Sequence, residues 1–154
     1  MTAARVGPRA RGQRREYRSP LRQGQAAQTR RAVLDAATRQ FGEHGWAGTS
    51  MRAVAEDAGV SVETVYAAIG PKAELLRQAI DVAIVGDDEP VALDQRPEFA
   101  TTAVGDLPTR IEAGAALITA AHERTVGVLR ALREGAAGDA ALAQRLAQAR
   151  EGFG

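Results

Sequence analysis

The chain has 154 residues, enough for one ordinary domain or for one small domain with a helical annex. It contains no cysteine, which excludes disulfides, thiolate metal sites and cysteine nucleophiles, and its two histidines give little basis for a metal site or a catalytic triad. No apolar run approaches the roughly 20 residues that span a bilayer, and no apolar stretch follows the basic N-terminus as in a secretory signal. We therefore expect a cytoplasmic protein without a membrane segment.

The formal net charge of +1 conceals a basic N-terminal arm. Residues 1–31 carry nine arginines against a single acid, Glu16, a net charge of +8 that leaves −7 for the rest of the chain. Residues 1–27 are rich in Gly, Gln and Pro and poor in large apolar side chains, which predicts disorder in isolation. Arginines in such an arm can reach a nucleic-acid backbone. A solvated tail that only increases solubility is the alternative.

Residues 28–87 have the pattern of four consecutive helices. From Thr29 onward, apolar side chains recur every four positions and form one face, and Gly45 suits the left-handed conformation that ends such a helix. Thr49 or Ser50 then offers an N-cap for a second helix, whose apolar residues fall at i, i+3, i+4 and i+7. The pattern therefore predicts two amphipathic helices joined by a short turn.

The third predicted helix follows the second almost at once. Gly59 ends the second helix with a positive φ, and Ser61 caps the third. Gly70 and Pro71 end the third helix and begin a fourth, which runs to about Val85, since proline is tolerated at the first helical position. A turn this short holds two helices at a fixed angle, so the spacing predicts a helix-turn-helix that can place its second member in a DNA groove.

The remaining residues, 88–154, are predicted to form a helical C-terminal region. An acidic turn at 86–90 marks the boundary, a short helix is expected near 96–104, and longer helices are expected at 108–133 and 140–150. No stretch alternates apolar and polar residues at a period of two, so the expected fold class is all-α. We expect the apolar stripe of the longest helix to be core rather than ligand pocket; its members are Ile111, Ala115, Ile118, His122 and Val126.

One face of the third helix is left uncovered by this packing. On it lie Val62, Glu63, Thr64, Tyr66 and Ala67. Helical hairpins with a glycine turn also occur in bundles that bind nothing, so the face alone does not establish DNA binding. Glu63 has two interpretations: its carboxylate can accept a hydrogen bond from the amino group of cytosine, or it can stabilise the positive end of its own helix.

Two cations occupy the first turns of predicted helices, where the helix dipole disfavours positive charge. They are Arg52 in the second helix and Lys72, the only lysine beside 19 arginines, in the fourth. A phosphate bound at each position would explain them, because it would share the free backbone N–H groups with the cation. Ordinary solvated charges are the alternative.

The stretch VLDAATRQFGEHGWAGTSMRAVAEDAGVSVETVYAAIGPKAELL, residues 33–76, resembles the N-terminal domain of the TetR family of bacterial transcriptional regulators. The resemblance implies three N-terminal helices for DNA and a fourth that links them to a helical ligand-binding and dimerisation domain. It also implies a homodimer on a palindromic operator in double-stranded DNA, repression released by an unknown small-molecule effector, and no cofactor. The matching residues are Ala36, Ala37, Phe41, Gly45, Thr49, Val54, Ala55, Ala58, Gly59, Val60, Ser61, Thr64, Tyr66, Lys72, Leu75 and Leu76.

Carried over by position, the resemblance implies DNA contacts on and beside the third helix. Thr64 and Tyr66 would touch the DNA backbone, Lys72 would hold a phosphate and Arg52 would lie near the duplex, with Val62, Glu63 and Ala67 near base edges. The full set expected at the DNA surface is Thr49, Ser50, Arg52, Ser61, Val62, Glu63, Thr64, Tyr66, Ala67 and Lys72.

The sequence departs from the family pattern in two places. Ala68 and Ile69 stand where a histidine and an aromatic residue commonly follow the tyrosine, and Pro71 replaces the common serine, so one polar DNA contact is lost. Members of the family also usually continue with two long helices that pair across the dimer axis, whereas this sequence stops at residues 151–154. Either a natural short form or an incomplete chain would explain this departure.

The leading hypothesis is a DNA-binding transcriptional regulator and repressor. It would consist of a disordered basic arm (1–27), a helix-turn-helix domain (28–87) and a partial ligand-binding and dimerisation domain (88–154). The alternative is a truncated helical interaction module that pairs with full-length relatives and binds DNA weakly. An enzyme is the third hypothesis, in which Glu112 and Glu123 would act as acids, but no nucleophile, metal cluster or phosphate loop accompanies them.

Overall fold

The computed structural model of the chain describes residues 20–87 and 91–151. These residues form seven α-helices and one short 3-10 helix and contain no strand, which confirms the all-α prediction. None of the described helices is both long enough and apolar enough to cross a membrane. The elements are α1 (Pro20–Gly48), α2 (Met51–Ala58), α3 (Val62–Ala68), α4 (Lys72–Val85), a 3-10 helix (Leu93–Gln95), α5 (Pro97–Thr101), α6 (Leu107–Gly135) and α7 (Ala140–Glu151).

The first helix starts earlier than the sequence pattern indicated. It begins at Pro20 instead of Thr29, so the prediction of disorder for 1–27 is wrong for residues 20–27, and residues 1–19 lie outside the described part of the chain. The side chains of residues 21–28 are exposed, so tertiary packing does not hold this extension in place. It forms because Leu, Arg, Gln and Ala favour helix, and because each residue added to an existing helix gains one hydrogen bond.

Gly45 interrupts α1 at the predicted position. Its φ of 69° and ψ of −171° lie outside the helical region, so the chain kinks there before a last short turn from Trp46 to Gly48. A positive φ strains any residue with a Cβ, which explains why glycine occupies this position. The kink directs the chain into α2.

The helix-turn-helix packs on α1 through one buried apolar cluster. Val54 and Ala55 of α2 and Val65 of α3 are at most 2% exposed and belong to the same cluster as Phe41 of α1. An ion pair between Arg39 of α1 and Asp57 of α2 lies outside this cluster, with 2.9 Å between Nη2 and Oδ1. The hydrogen bond from Arg39 also holds the pKa of Asp57 below its ordinary value. The helix-turn-helix is therefore fixed to α1 by both packing and charge.

The C-terminal half of α6 packs against α1 and α4. Val128, Ala131 and Leu132 are fully buried, and a Cβ added at Gly127 would lie 2.7 Å from the Cα of Gly42. Only glycine permits the two helix backbones to approach so closely. The region after α4 is thus joined directly to the helix that carries the helix-turn-helix.

The apolar stripe of α6 does not lie in the core, so that prediction is wrong. Ile111, Ile118 and Val126 are 62%, 71% and 56% exposed, and Ala115 and His122 are exposed as well. The buried face of α6 is a neighbouring one that carries Thr125, Val128, Ala131, Leu132 and Gly135. Its small residues allow close helix contact, and the hydroxyl of Thr125 donates back to the carbonyl of Ala121 at 2.8 Å, which removes the cost of burying it.

Candidate DNA-binding surface

Two capped helix ends create the short turn between α2 and α3. The hydroxyl of Ser50 accepts a hydrogen bond from the N–H of Ala53 at 3.0 Å, and that of Ser61 accepts one from the N–H of Thr64 at 3.1 Å. Between them, Gly59 ends α2 in the left-handed conformation, with φ 69° and ψ 32°. These contacts confirm the predicted capping residues and leave no slack between the two helices.

The outward face of α3 is formed by three exposed residues. Glu63, Tyr66 and Ala67 are all exposed, and Tyr66 keeps 50% of its surface accessible although it is a large ring. Val65 on the opposite face is fully buried and anchors the helix. The helix therefore presents a carboxylate, a phenol and a methyl group on a rigid support.

Val62 and Thr64 are half-buried, so they contribute less to this face than the sequence suggested. Val62 packs against the edge of the core, and the hydroxyl of Thr64 lies 2.9 Å from that of Ser61. Thr64 and Ser61 thus form a hydroxyl pair at the start of α3. The Ser61 side of this pair is exposed and accessible to a DNA backbone.

The residues expected to contact DNA at the start of α2 differ in their exposure. Thr49 is only 3% exposed, and its hydroxyl lies 2.8 Å from the carbonyl of Gly45 and 2.9 Å from that of Gln40. This burial argues against the predicted DNA contact, since Thr49 closes the kink of α1 instead. Ser50 and Arg52 are exposed, and Arg52 donates to the carboxylate of Glu56 at 2.9 Å. An exposed pair of this kind is weak, so a phosphate can compete for Arg52.

Lys72 lies in a setting that the sequence did not reveal. Its ammonium donates to the backbone carbonyl of Trp46 and lies 4.3 Å from the centroid of the Trp46 ring, a cation–π arrangement. Partial burial lowers the pKa of Lys72. One carbonyl uses one of three N–H groups, so the ammonium retains donors for a phosphate. The cation is therefore held in a fixed position at the first turn of α4.

Trp46 is the residue that sequence reasoning missed. Its ring stacks on Phe41 with centroids 6.1 Å apart and planes 9° from parallel, and its backbone N–H donates to the carboxylate of Glu134 at 2.8 Å. The only tryptophan of the chain, placed directly after the glycine that ends a helix, was the available signal. Its partners on α4 and α6 are distant in sequence and become neighbours only in the folded chain.

A second hydrogen bond connects α6 to the same end of α1. The guanidinium of Arg130 donates to the carbonyl of Gly42 at 3.0 Å, one helical turn before the Glu134 contact. The kinked end of α1 thus contacts α6 through side chains on two successive turns. Any shift of α6 along α1 must change the position of Trp46 or break these bonds.

A cleft lies beyond the other end of α4. It has a volume of about 680 Å³ and is lined by residues of the end of α4, of α5 and of α6. Most of its lining is apolar, with four charged residues, Asp87, Arg96, Glu98 and Arg124. This size and lining are typical of sites for small organic molecules. No cluster of metal-ligating side chains occurs among the residues that the structure describes.

Comparison with known proteins identifies the N-terminal part of the chain. Residues 33–79 match the family model described as bacterial regulatory proteins, tetR family. The matched segment runs from the packed part of α1 to the second half of α4, so it contains the helix-turn-helix and Lys72. The chain has no match among curated proteins or among solved structures.

Proposed function

Since residues 33–79 are a tetR-family helix-turn-helix domain of a DNA-binding transcriptional regulator, we propose that the chain is a repressor that binds a palindromic operator as a homodimer. The observation that carries this proposal is the combination of an exposed face on α3 with a fixed ammonium at the start of α4. A rigid reading helix and an oriented cation are the parts needed to combine base contacts with phosphate contacts. A DNA-binding role would place the protein in the cytoplasm, and it requires no catalytic activity.

The roles of the surface residues follow from their exposure. Lys72 and Arg52 would neutralise phosphates, and Tyr66 would donate its phenol hydrogen to a phosphate oxygen. Glu63 and Ala67 would lie in the major groove, where an exposed methyl group suits the methyl of thymine. Ser50, Ser61 and Thr64 would contribute hydroxyl contacts to the backbone, with Val62 at the margin of the groove.

An effector would bind in the cleft below the C-terminal end of α4 and lower the affinity for DNA. Support comes from connectivity: α4 runs from Lys72 at the proposed DNA surface to Val85 in the cleft, and α6 runs from the cleft to the Glu134 contact with Trp46. A molecule wedged between α4 and α6 would act on both helices. Small shifts of packed helices are a common means of transmitting such a signal.

Duplex binding over a series of salt concentrations tests the central claim. The full chain is titrated against its own upstream DNA and against a shuffled duplex, with fluorescence anisotropy as the readout. We expect tighter binding to the first and a linear fall of log K with log salt, with a slope of about −0.9 for each phosphate contact. Binding that is absent at low salt, or indifferent to sequence, would contradict the proposal.

One observation favours the alternative function of a module that pairs with another protein. The row of Ile111, Ile118 and Val126 on α6 is apolar, and each of the three side chains is more than half exposed. Exposed apolar surfaces of this kind often mark protein contacts. Light scattering measures pairing, and the salt series measures duplex binding. A chain that pairs with a full-length relative and binds no duplex would support the pairing module.

A further inference from the structure

The cleft between α4, α5 and α6 contains two arginines in different situations. The guanidinium of Arg96 is 8% exposed and is bound to the carboxylate of Asp87, with 2.6 Å and 2.9 Å between its two terminal nitrogens and the two carboxylate oxygens. It also donates to the carbonyl of Val91 at 3.3 Å. A bidentate pair of this kind is electrically neutral and rigid, so it forms part of the wall and does not attract a charged ligand.

Arg124 is held on one side only. Its Nε–H donates to the carbonyl of Ala83 at 3.1 Å, and its terminal nitrogens make no hydrogen bond to the described residues. Ala83 lies in the last turn of α4, where backbone carbonyls lack helical partners. The hydrogen bond orients the exposed guanidinium at the cleft and leaves its two terminal nitrogens available. A planar anion, above all a carboxylate, matches these two nitrogens.

Glu98 is the competing charge in the cleft. Glu98 and Arg124 are both exposed, but Glu98 lies in the five-residue helix α5, and its carboxylate makes no hydrogen bond or ion pair with the described residues. Arg124 projects from a 29-residue helix and is anchored by Ala83. A prepositioned group loses less conformational entropy on binding, so Arg124 is the stronger candidate for a charged contact.

We propose that the cleft binds a small amphipathic anion, with its carboxylate on the terminal nitrogens of Arg124. This inference rests on the proposed function, since it names the chemical class of the effector. The apolar part of the molecule would cover Ile84 and Phe99, which are 41% and 39% exposed at the cleft, and contact Leu117 on α6. These three side chains come from α4, α5 and α6, so one ligand bridges all three helices.

Binding at Arg124 affects α4 directly. The arginine serves the carbonyl of Ala83 and the anion at once, so the negative charge of the ligand lies beside the negative C-terminal end of the helix. That proximity is unfavourable and is relieved when the end of α4 moves away. Lys72 at the opposite end of the same helix would move with it.

Calorimetry with three probes of equal chain length tests the ligand class. Decanoate, decanol and decyltrimethylammonium are each titrated into the full chain below the concentrations at which they form micelles. We expect decanoate to bind at least about tenfold more tightly than decanol, the increment typical of a charge-assisted hydrogen bond, and the cation to bind more weakly still. Equal affinity for decanoate and decanol would overturn the proposal.

The variants Arg124→Met and Arg110→Met form a matched pair. Arg110 also lies on α6 and also donates its Nε–H to a backbone carbonyl, that of Thr102, but it does not line the cleft. Arg124→Met should lose about tenfold in decanoate affinity and nothing in decanol affinity, while Arg110→Met keeps both. Circular dichroism checks that each variant is folded. Unchanged decanoate binding in folded Arg124→Met would refute the assignment.

Glu98→Gln decides between the two charges. We expect it to keep or increase decanoate affinity, since a like charge is removed from the cleft. If decyltrimethylammonium binds most tightly of the three probes and Glu98→Gln abolishes that binding, the proposal is overturned in favour of a cationic ligand.

The duplex assay, run without probes, reports on the regulator separately. Sequence-specific DNA binding without a preference for decanoate would refute only the ligand class. Decanoate bound through Arg124 with no change in duplex affinity would support the ligand class and count against effector release.

Discussion

The carboxylate of Glu134, near the end of α6, accepts a hydrogen bond from the backbone N–H of Trp46 at 2.8 Å, across 88 residues of sequence. The carbonyl and ring of the same tryptophan hold the ammonium of Lys72. Glu134, in the C-terminal region, thus positions Trp46, and Trp46 in turn positions Lys72, the proposed phosphate contact. Glu134 itself lies outside the helix-turn-helix.

Replacing Glu134 by alanine should therefore weaken duplex binding without removing a DNA contact. The Trp46 N–H loses its acceptor, at a cost of about 1 kcal/mol, and the melting temperature should fall by about 2–4 °C. Fluorescence anisotropy and thermal melting measure the two effects. Glu134→Gln keeps an acceptor oxygen and should retain most of both, while Arg133→Ala, an exposed neighbour, should change neither. Full duplex affinity in Glu134→Ala would disprove the link.

Lys72→Ala should weaken binding to all duplexes alike. A phosphate contact carries no base information, so the ratio between operator and shuffled DNA stays constant while the salt slope becomes shallower by about one unit. Arg150→Ala, an exposed cation near the end of α7, serves as the control for a simple change of net charge. An unchanged slope in Lys72→Ala would assign the lysine a purely structural role on Trp46.

Glu74, in the first turn of α4, should stabilise the folded state at neutral pH and lose this contribution in acid. Hydrogen bonds from Arg77 and Gln78 lower its pKa from 4.5 to about 2. A lowered pKa stabilises the folded state above the ordinary value, and this contribution is lost as pH falls from about 4.5 through about 2. Glu74→Gln should thus be less stable than the natural chain at pH 7, with the difference vanishing near pH 2. Urea denaturation at a series of pH values measures the free energy of unfolding of both proteins. A difference between them that stays constant with pH would contradict the prediction.

The basic segment before α1 should strengthen DNA binding at low salt. Deleting residues 1–19 removes six arginines and leaves α1 complete from Pro20, so the helical signal of the described region should be preserved while low-salt affinity falls. A second variant, with those six arginines replaced by glutamine, separates charge from length. Equal affinity of all three proteins would leave solubility as the function of the segment.

Local patterns predicted the helices well because their signals are local. Ser50, Gly59 and Ser61 act within a few residues of their own positions, and the structure confirms each cap. The prediction that the apolar stripe of α6 is buried was wrong because two adjacent faces of that helix are apolar. Which of them is buried depends on which face fits α1 and α4. The contacts of Trp46 and Arg124 depend on helices that are distant in sequence, so no period or spacing could reveal them.

Glu63, the acid on the exposed face of α3, gives the sharpest test of how that face meets DNA. It lies in the first turn of its helix, where the dipole favours a negative charge, and it forms no ion pair with the described residues. We expect Glu63→Gln to strengthen binding to every duplex by removing repulsion from phosphates, with a small loss of thermal stability. Glu123→Gln, the same change at an exposed position of α6, should leave affinity nearly unchanged.

The opposite result has a distinct signature. If the carboxylate of Glu63 accepts a hydrogen bond from the amino group of cytosine, Glu63→Gln should relax the preference at one base pair in each half-site, and the best sequence should lose about 1–3 kcal/mol. Selection from an operator library with both proteins measures the two outcomes together. A change in base preference confined to one symmetric pair of operator positions would show that Glu63 reads a base. Loss of general repulsion would instead raise the affinity for all sequences equally.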